Sequence, residues 1–138
     1  DYEDLMVLKV SNGEKASDKA IELAEDVSAY VVTPNRSKVY YVSDEELYSI
    51  NGKKGGSPKR IAEDVDSYGL AMSGKNVAFY ISDGDLYACN NGKSGERVLS
   101  DCEGVSNTPN GVVYAVDEDA VYASTGSKKL NKVAELDN

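Results

Sequence analysis

One ten-residue pattern occurs three times in this chain, and that recurrence constrains the fold more than any other feature. It reads Val39-Tyr40-Tyr41-Val42-Ser43-Asp44-Glu45-Glu46-Leu47-Tyr48, then Ala78-Phe79-Tyr80-Ile81-Ser82-Asp83-Gly84-Asp85-Leu86-Tyr87, then Val113-Tyr114-Ala115-Val116-Asp117-Glu118-Asp119-Ala120-Val121-Tyr122. The spacing is 39 residues from Leu47 to Leu86 and 35 from Leu86 to Val121. A second element keeps the same order: Ala24-Glu25-Asp26-Val27 returns as Ala62-Glu63-Asp64-Val65 and, more loosely, as Leu99-Ser100-Asp101-Cys102. Recurrence at this period is the signature of stacked supersecondary units, each too small to bury its apolar face alone.

Within a unit the residues read as four short strands. Tyr30 to Thr33 is followed by Pro34-Asn35. Lys38 to Val42 is rich in β-branched and aromatic residues, Ser43-Asp44-Glu45-Glu46 turns into Leu47 to Ile50, and a longer turn from Asn51 to Pro58 leads to Lys59 to Ala62. Gly, Asn and Asp at the joints supply the positive φ of tight hairpins. Four antiparallel strands in roughly 40 residues is the size of one propeller blade. The expected fold is therefore all-β and β-propeller-like, with about three and a half four-stranded antiparallel blades forming a partial propeller or an open stack. The single repeat domain spans 1–138, with a half unit at about 5–27 and full units at 28–65, 66–102 and 103–136. The half unit holds the last two strands of a blade. Residues 16–27 carry some helical character, but their place in the repeat predicts a long loop and then a strand.

A closed ring typically has about four to eight blades, so these units read as part of a larger propeller or as an open stack that oligomerises. Exposed end strands, above all the largely apolar Leu5 to Val10, predict self-association through edge strands. The chain opens Asp1-Tyr2-Glu3-Asp4 without Met, as an excised segment or mature form would, and this start is unlike a signal peptide.

The Val-Tyr-Tyr, Asp-Leu-Tyr and Ala-Glu-Asp-Val elements resemble propeller repeats of uncharacterised Gram-positive bacterial surface proteins. They are distantly similar to the repeats in the propeller domain of the TolB translocation protein. The resemblance covers nearly the whole chain from Leu5 onward. It implies a propeller fold and an extracellular or cell-surface location, and it brings no catalytic residues with it.

Charge and composition narrow the partners. The 24 Asp and Glu outweigh 15 Lys and Arg, for a net charge of −9, a field that repels nucleic acid and anionic lipid. No apolar run approaches the roughly 20 residues of a membrane span, so this segment is expected not to insert. The aromatic complement is ten Tyr, one Phe and no Trp. Repeat position groups Tyr48 with Tyr87 and Tyr122, Tyr41 with Tyr80, and Tyr30 with Tyr68, which predicts structural packing between units. Cys89 aligns with Ile50 and Cys102 with Val65, both apolar positions, so two buried thiols are expected. A hairpin folded about Lys93-Ser94 sets Cys89 opposite about Val98, too far from Cys102 for a disulfide.

The chemistry legible in the chain is sparse. Asp44, Asp83, Asp85, Asp117 and Asp119 fall on like turns and form a candidate cation or partner rim. Oxygen ligands of this kind suit Ca²⁺, but no turn has the spacing of a calcium loop, and hairpin turns favour Asp for conformational reasons alone. Without His there is no Ser-His-Asp or Cys-His arrangement and no zinc site. Lys53-Lys54-Gly55-Gly56-Ser57 lacks the spacing of a phosphate loop. The expectation is a chain that is not an enzyme, with no catalytic residue, no cofactor and no metal. Its function is expected to be that of a binding or scaffold module of a bacterial surface or secreted protein, taking a protein, peptide or glycan partner. The alternatives are an extracytoplasmic sensor domain binding a small ligand or cation, and a fragment of a carboxylate-based glycoside hydrolase.

Overall fold

The computed structural model describes residues 3–8 and 20–136, and within them the chain is all β, with no helix and no closed barrel. The strands are β1 (Glu3–Leu8), β2 (Ala20–Val32), β3 (Lys38–Ser43), β4 (Glu46–Asn51), β5 (Lys59–Ala62), β6 (Val65–Met72), β7 (Ala78–Ser82), β8 (Asp85–Cys89), β9 (Glu96–Leu99), β10 (Gly104–Asn107), β11 (Val113–Val116), β12 (Ala120–Ser124) and β13 (Asn131–Glu135). They form three antiparallel sheets, ordered β1-β2-β3-β4-β5, β6-β7-β8-β9 and β10-β11-β12-β13.

The first sheet has five strands, so the two strands of the expected half unit, β1 and the first half of β2, join the first full unit by continuous strand pairing. β2 runs for 13 residues: its first half pairs with β1 and its second half with β3. The halves meet at Asp26, which sits at φ 54°, and the residues aligned with it, Asp64 and Asp101, hold φ 53° and 52°. Asp tolerates this left-handed conformation better than most residues, because its short side chain bonds locally. The joint that separates two sheets at Asp64 and Asp101 is therefore present at Asp26, where strand pairing continues across it. The strand expected after a long loop in 16–27 starts at Ala20, and the loop itself lies outside the described residues.

Hairpin chemistry explains the middle of each sheet. Asp44 and Glu45, at φ 51° and 63°, join β3 to β4, and Asp83 and Gly84, at φ 50° and 84°, join β7 to β8. Two successive positive φ values match the right-handed twist of the flanking strands. Between β11 and β12 the Asp117 carboxylate supports the turn instead. Its Oδ1 accepts the N–H groups of Asp119 and Ala120, each at 2.9 Å.

The sheets stack through opposite faces of the same strands. In β3, Tyr40 and Val42, with Leu47 of β4, face the second sheet, where they pack with Val65, Ala78, Tyr80 and Cys89. In β7, Phe79 and Ile81 point the other way, toward Leu86, Cys102, Val113 and Ala115. Val39, Tyr41 and Ile50 form a third cluster against Leu23 and Ala24 of β2. Side chains that alternate along β3 and β7 thus bury both faces of those strands.

Hydrogen bonds repeat the coupling. Glu45 O accepts from Val65 N–H at 2.9 Å, Gly84 O from Cys102 N–H at 2.8 Å, and Asp119 O from Leu136 N–H at 2.8 Å. At the opposite ends of the sheets, Asn76 Oδ1 accepts from Asn35 N–H at 3.1 Å, and Gly111 O from Gly74 N–H at 2.9 Å. A side chain on Gly111, at φ 88°, would lie 2.6 Å from Gly74 Cα, so these two backbones require glycine to approach.

Both thiols are free and buried, in different clusters: Cys89 between the first and second sheets, Cys102 between the second and third. The pairing corrects one detail, because Ala88 lies opposite Glu96 and Cys89 falls beyond the last β8–β9 pair rather than opposite Val98. Burial pushes the Cys89 thiol up to about 12 and the nearby Tyr80 phenol likewise to about 12.

In the unfolded chain these groups ionise near about 8.5 and 10. Above those values the unfolded state gives up protons that the folded state keeps, so stability falls as pH rises from about 9 toward 12. Chemical denaturation at pH 8, 9.5 and 11 should show that decline, less steep between pH 8 and 9.5 in Cys89→Ala. Equal slopes in the two proteins over that interval would remove Cys89 from the effect.

Candidate functional site

A cleft of about 510 Å³ opens between the hairpin tips of the first two sheets and the start of the third. Its walls come from Glu45, Asp64 to Tyr68, Ile81, Asp83, Gly84, Cys102 and Glu103. Five of these are carboxylates, Glu45, Asp64, Asp66, Asp83 and Glu103, and no Lys or Arg lines the cleft. None of the five takes part in the ion pairs seen among the described residues, which use Glu46, Glu63, Asp85, Glu96 and Glu135. Carboxylates of one sign around a concave surface focus a negative potential that concentrates cations.

A β-bulge builds the cleft. Val65 pairs with Ser82, and the next pair of the ladder is Leu70 with Tyr80, so Asp66, Ser67, Tyr68 and Gly69 stand against Ile81 alone. The corresponding stretches of β2 and β10 are two residues shorter, and Tyr30 and Val105 hold the place taken by Leu70. The equivalence of Tyr30 with Tyr68 is therefore corrected: aligning the chain on its Asp-Val elements hides the insertion. Their expected packing between units is corrected as well, since Tyr30 is 56% and Tyr68 92% exposed.

The bulge is held at several points. Asp66 Oδ1 accepts the Tyr68 N–H at 2.9 Å. Ser67 Oγ lies 2.8 Å from Ser28 Oγ, and Ser28 gives its one hydroxyl proton to Val42 O, so Ser67 donates. Gly69 lies flat on Ile81, where an added side chain would come within 2.6 Å of Ile81 Cβ. Bulges of this kind re-aim side chains beside functional surfaces, and this one holds Tyr68 out into solvent at the edge of an acidic cleft.

The five rim carboxylates do not meet in one place. Asp83 lines the cleft, and Asp44 is exposed at its hairpin tip. Asp85 accepts the Asp101 N–H at 3.0 Å and pairs with Arg97 at 3.5 Å, so it latches neighbouring strands. Asp117 and Asp119 share one turn, where Asp117 Oδ2 also accepts the Tyr122 hydroxyl at 3.0 Å. The amide of Asp119 and this phenol hold the Asp117 carboxyl below its ordinary range, and the hydrogen bond to that carboxylate pushes the Tyr122 phenol up. Among the described residues, no three His, Cys, Asp or Glu side chains converge as a metal-ligand group. Sequence reasoning did not reach Asp64, Asp66, Tyr68 and Glu103 as site residues. Alignment on Thr33, Ser73 and Thr108, which open like turns, would have exposed the insertion, because Tyr30 precedes its turn by three residues and Tyr68 by five.

Four of the other tyrosines are structural. Tyr41 stacks on Tyr48 and Tyr80 on Tyr87, each at 5.3 Å between ring centroids. The Tyr48 hydroxyl donates to Glu46 at 2.9 Å, which with Arg60 lowers the pKa of that carboxyl.

No family model and no curated protein matches the chain. Among solved structures, one described as "The de novo evolutionary emergence of a symmetrical protein is shaped by folding constraints" is similar over 94% of this chain and 69% of its own, at 12% identity and a TM-score of 0.48. A luciferin-regenerating enzyme is similar over 96% of this chain and 56% of its own, at 11% identity and a TM-score of 0.49. The chain thus spans little more than half the length of the latter, and no residue role is carried over from either. The expectation that the chain is not an enzyme is corrected on its chemistry: lack of His removes one kind of general base, while carboxylates supply another.

Two outcomes follow for the site. Gly69→Ala should destabilise the fold by about 1–3 kcal/mol through overpacking on Ile81, read as a lower urea midpoint, whereas Tyr68→Ala should leave the midpoint nearly unchanged. Equal effects would mean that Tyr68 is a packing residue. The lowered carboxyl of Asp117 contributes stability that is complete above its unfolded pKa of about 3.9 and is lost as pH falls through the folded value. Melting between pH 6 and 2.5 should accordingly be less acid-sensitive in Asp117→Asn than in the parent.

Proposed function

We propose that the chain is a binding module of a bacterial surface or secreted protein, propeller-like in its stacking, whose acidic cleft takes a cationic partner, a Lys- or Arg-rich peptide segment. The observation that carries this reading is the supported bulge that places a 92% exposed Tyr68 beside five carboxylates with no basic residue in the wall. A basic side chain entering the cleft meets carboxylates, and its cation or apolar stem can lie on the Tyr68 ring. The propeller-like arrangement is supported by the succession of sheets, in which β2 packs against β6 and β6 against β10, the first full-unit strands of neighbouring sheets. The surface location rests on the repeat resemblance.

Fluorescence anisotropy with labelled oligolysine, oligoglutamate and neutral peptides of equal length tests the reading. Oligolysine alone should bind, less tightly as salt rises. Tyr68→Ala and Asp66→Asn should each weaken binding several-fold, while Asp119→Asn, outside the cleft, should not. Binding that is indifferent to peptide charge, or equally reduced by Asp119→Asn, would overturn it.

A further inference from the structure

The third sheet has an interface face with nothing packed on it among the described residues. Tyr40, Phe79 and Tyr114 occupy one position in the three sheets; the first two are 0% exposed and Tyr114 is 39% exposed. Leu47 and Leu86 are fully buried, whereas Val121 at the same position is half-buried. Val65 and Cys102, which open the next sheet, are buried at its interface, but Leu136, held by the same hydrogen bond to a hairpin-tip carbonyl, is 40% exposed. Val105, Tyr114, Val116 and Val121 line an uncharged groove of about 390 Å³ on this face. It is the surface that in the other two sheets accepts the next one, and it ends in open solvent.

We propose that this groove docks the β1 end of a second copy of the chain, head to tail. The occupant must continue two interfaces already built in the fold, so it must present a strand surface of the same repeat type. The opposite end of the chain offers one. β1 pairs only with β2 among the described strands, and its sequence, Leu5-Met6-Val7-Leu8, is apolar at four successive positions, the pattern of a strand covered on both sides. The contact is heterologous, so each copy uses one end and leaves the other for a third copy, giving a ring or a growing stack. Since each chain carries −9 and the groove carries no charge, added salt strengthens the association by screening repulsion. That sign is opposite to the one expected for a basic peptide in the acidic cleft.

Sedimentation velocity over a concentration series, at low and moderate salt, is the test. The parent should associate, more strongly at moderate salt. Tyr114→Glu and Val7→Glu should each weaken association by roughly tenfold or more, because a buried unpaired charge is costly, while Lys93→Glu, on the exposed long turn of the middle sheet, should not. An equimolar mixture of the two glutamate variants should form a heterodimer and nothing larger, since one intact groove and one intact β1 end remain. Circular dichroism and melting confirm that each variant is folded, and Tyr114→Ser and Val7→Ser replace any that is not. A parent that stays monomeric at high concentration, association lost in Tyr114→Glu alone, or a mixture that stays monomeric would each overturn the proposal. The last two outcomes point to face-to-face pairing or to further repeats of a longer chain as the occupant.

Discussion

Burial of one sheet face against the next is the interaction on which the rest of this structure depends. No single sheet here has an interior of its own. Tyr40 and Val42 leave water only because Val65, Ala78, Tyr80 and Cys89 stand opposite them, and Phe79 and Ile81 depend likewise on Val113 and Ala115. Each fully buried side chain of this size contributes about 1.5–3 kcal/mol, so the few pairs at each interface outweigh the exposed ion pairs, which add little. Directional bonds then fix the spacing. The Tyr40 hydroxyl accepts the Gly92 N–H at 3.1 Å, reaching from the first sheet into the long turn of the second. The hairpin-tip carbonyls do the same at the other end of each sheet, so apolar contact sets the energy and hydrogen bonds set the register.

That dependence explains which features were legible in the sequence. Strand identity and hairpin position follow from local chemistry: β-branched and aromatic runs alternate with Asp and Gly turns, and all of the strands read between Tyr30 and Ala62 are present. Burial of Cys89 and Cys102 was legible too, because both replace apolar residues at interface positions. Less legible was anything decided by pairing across the chain. The joint at Asp26 has the same backbone conformation as those at Asp64 and Asp101, yet β2 keeps partners on both sides of it, and no local signal distinguishes the cases. The bulge escaped for a related reason. Similar Asp-Val and Tyr residues suggested one alignment, while the ladder shifts by two residues to keep Leu70 opposite Tyr80.

The same shift creates the candidate site. In a regular strand Tyr68 would alternate into the stack or out of it with its neighbours. The extra residues instead loop over Ile81, with Gly69 as the close contact and Asp66 and Ser67 bonding the backbone and the adjoining strand. The rim carboxylates singled out by type divide into those that organise turns, such as Asp85 and Asp117, and those left facing the cleft, such as Asp83. Residue type alone does not separate these roles; hydrogen-bond partners do.

If inter-sheet burial is what holds the chain together, protection should follow the number of covered faces. Native-state hydrogen exchange, resolved by residue, measures this directly. The account predicts that amides in β7 and β8, whose strands are covered on both sides, exchange slowest and as one cooperative group, while those in β11 and β12, with one face open, exchange measurably faster. Uniform protection across the second and third sheets, or slowest exchange in β11 and β12, would contradict it.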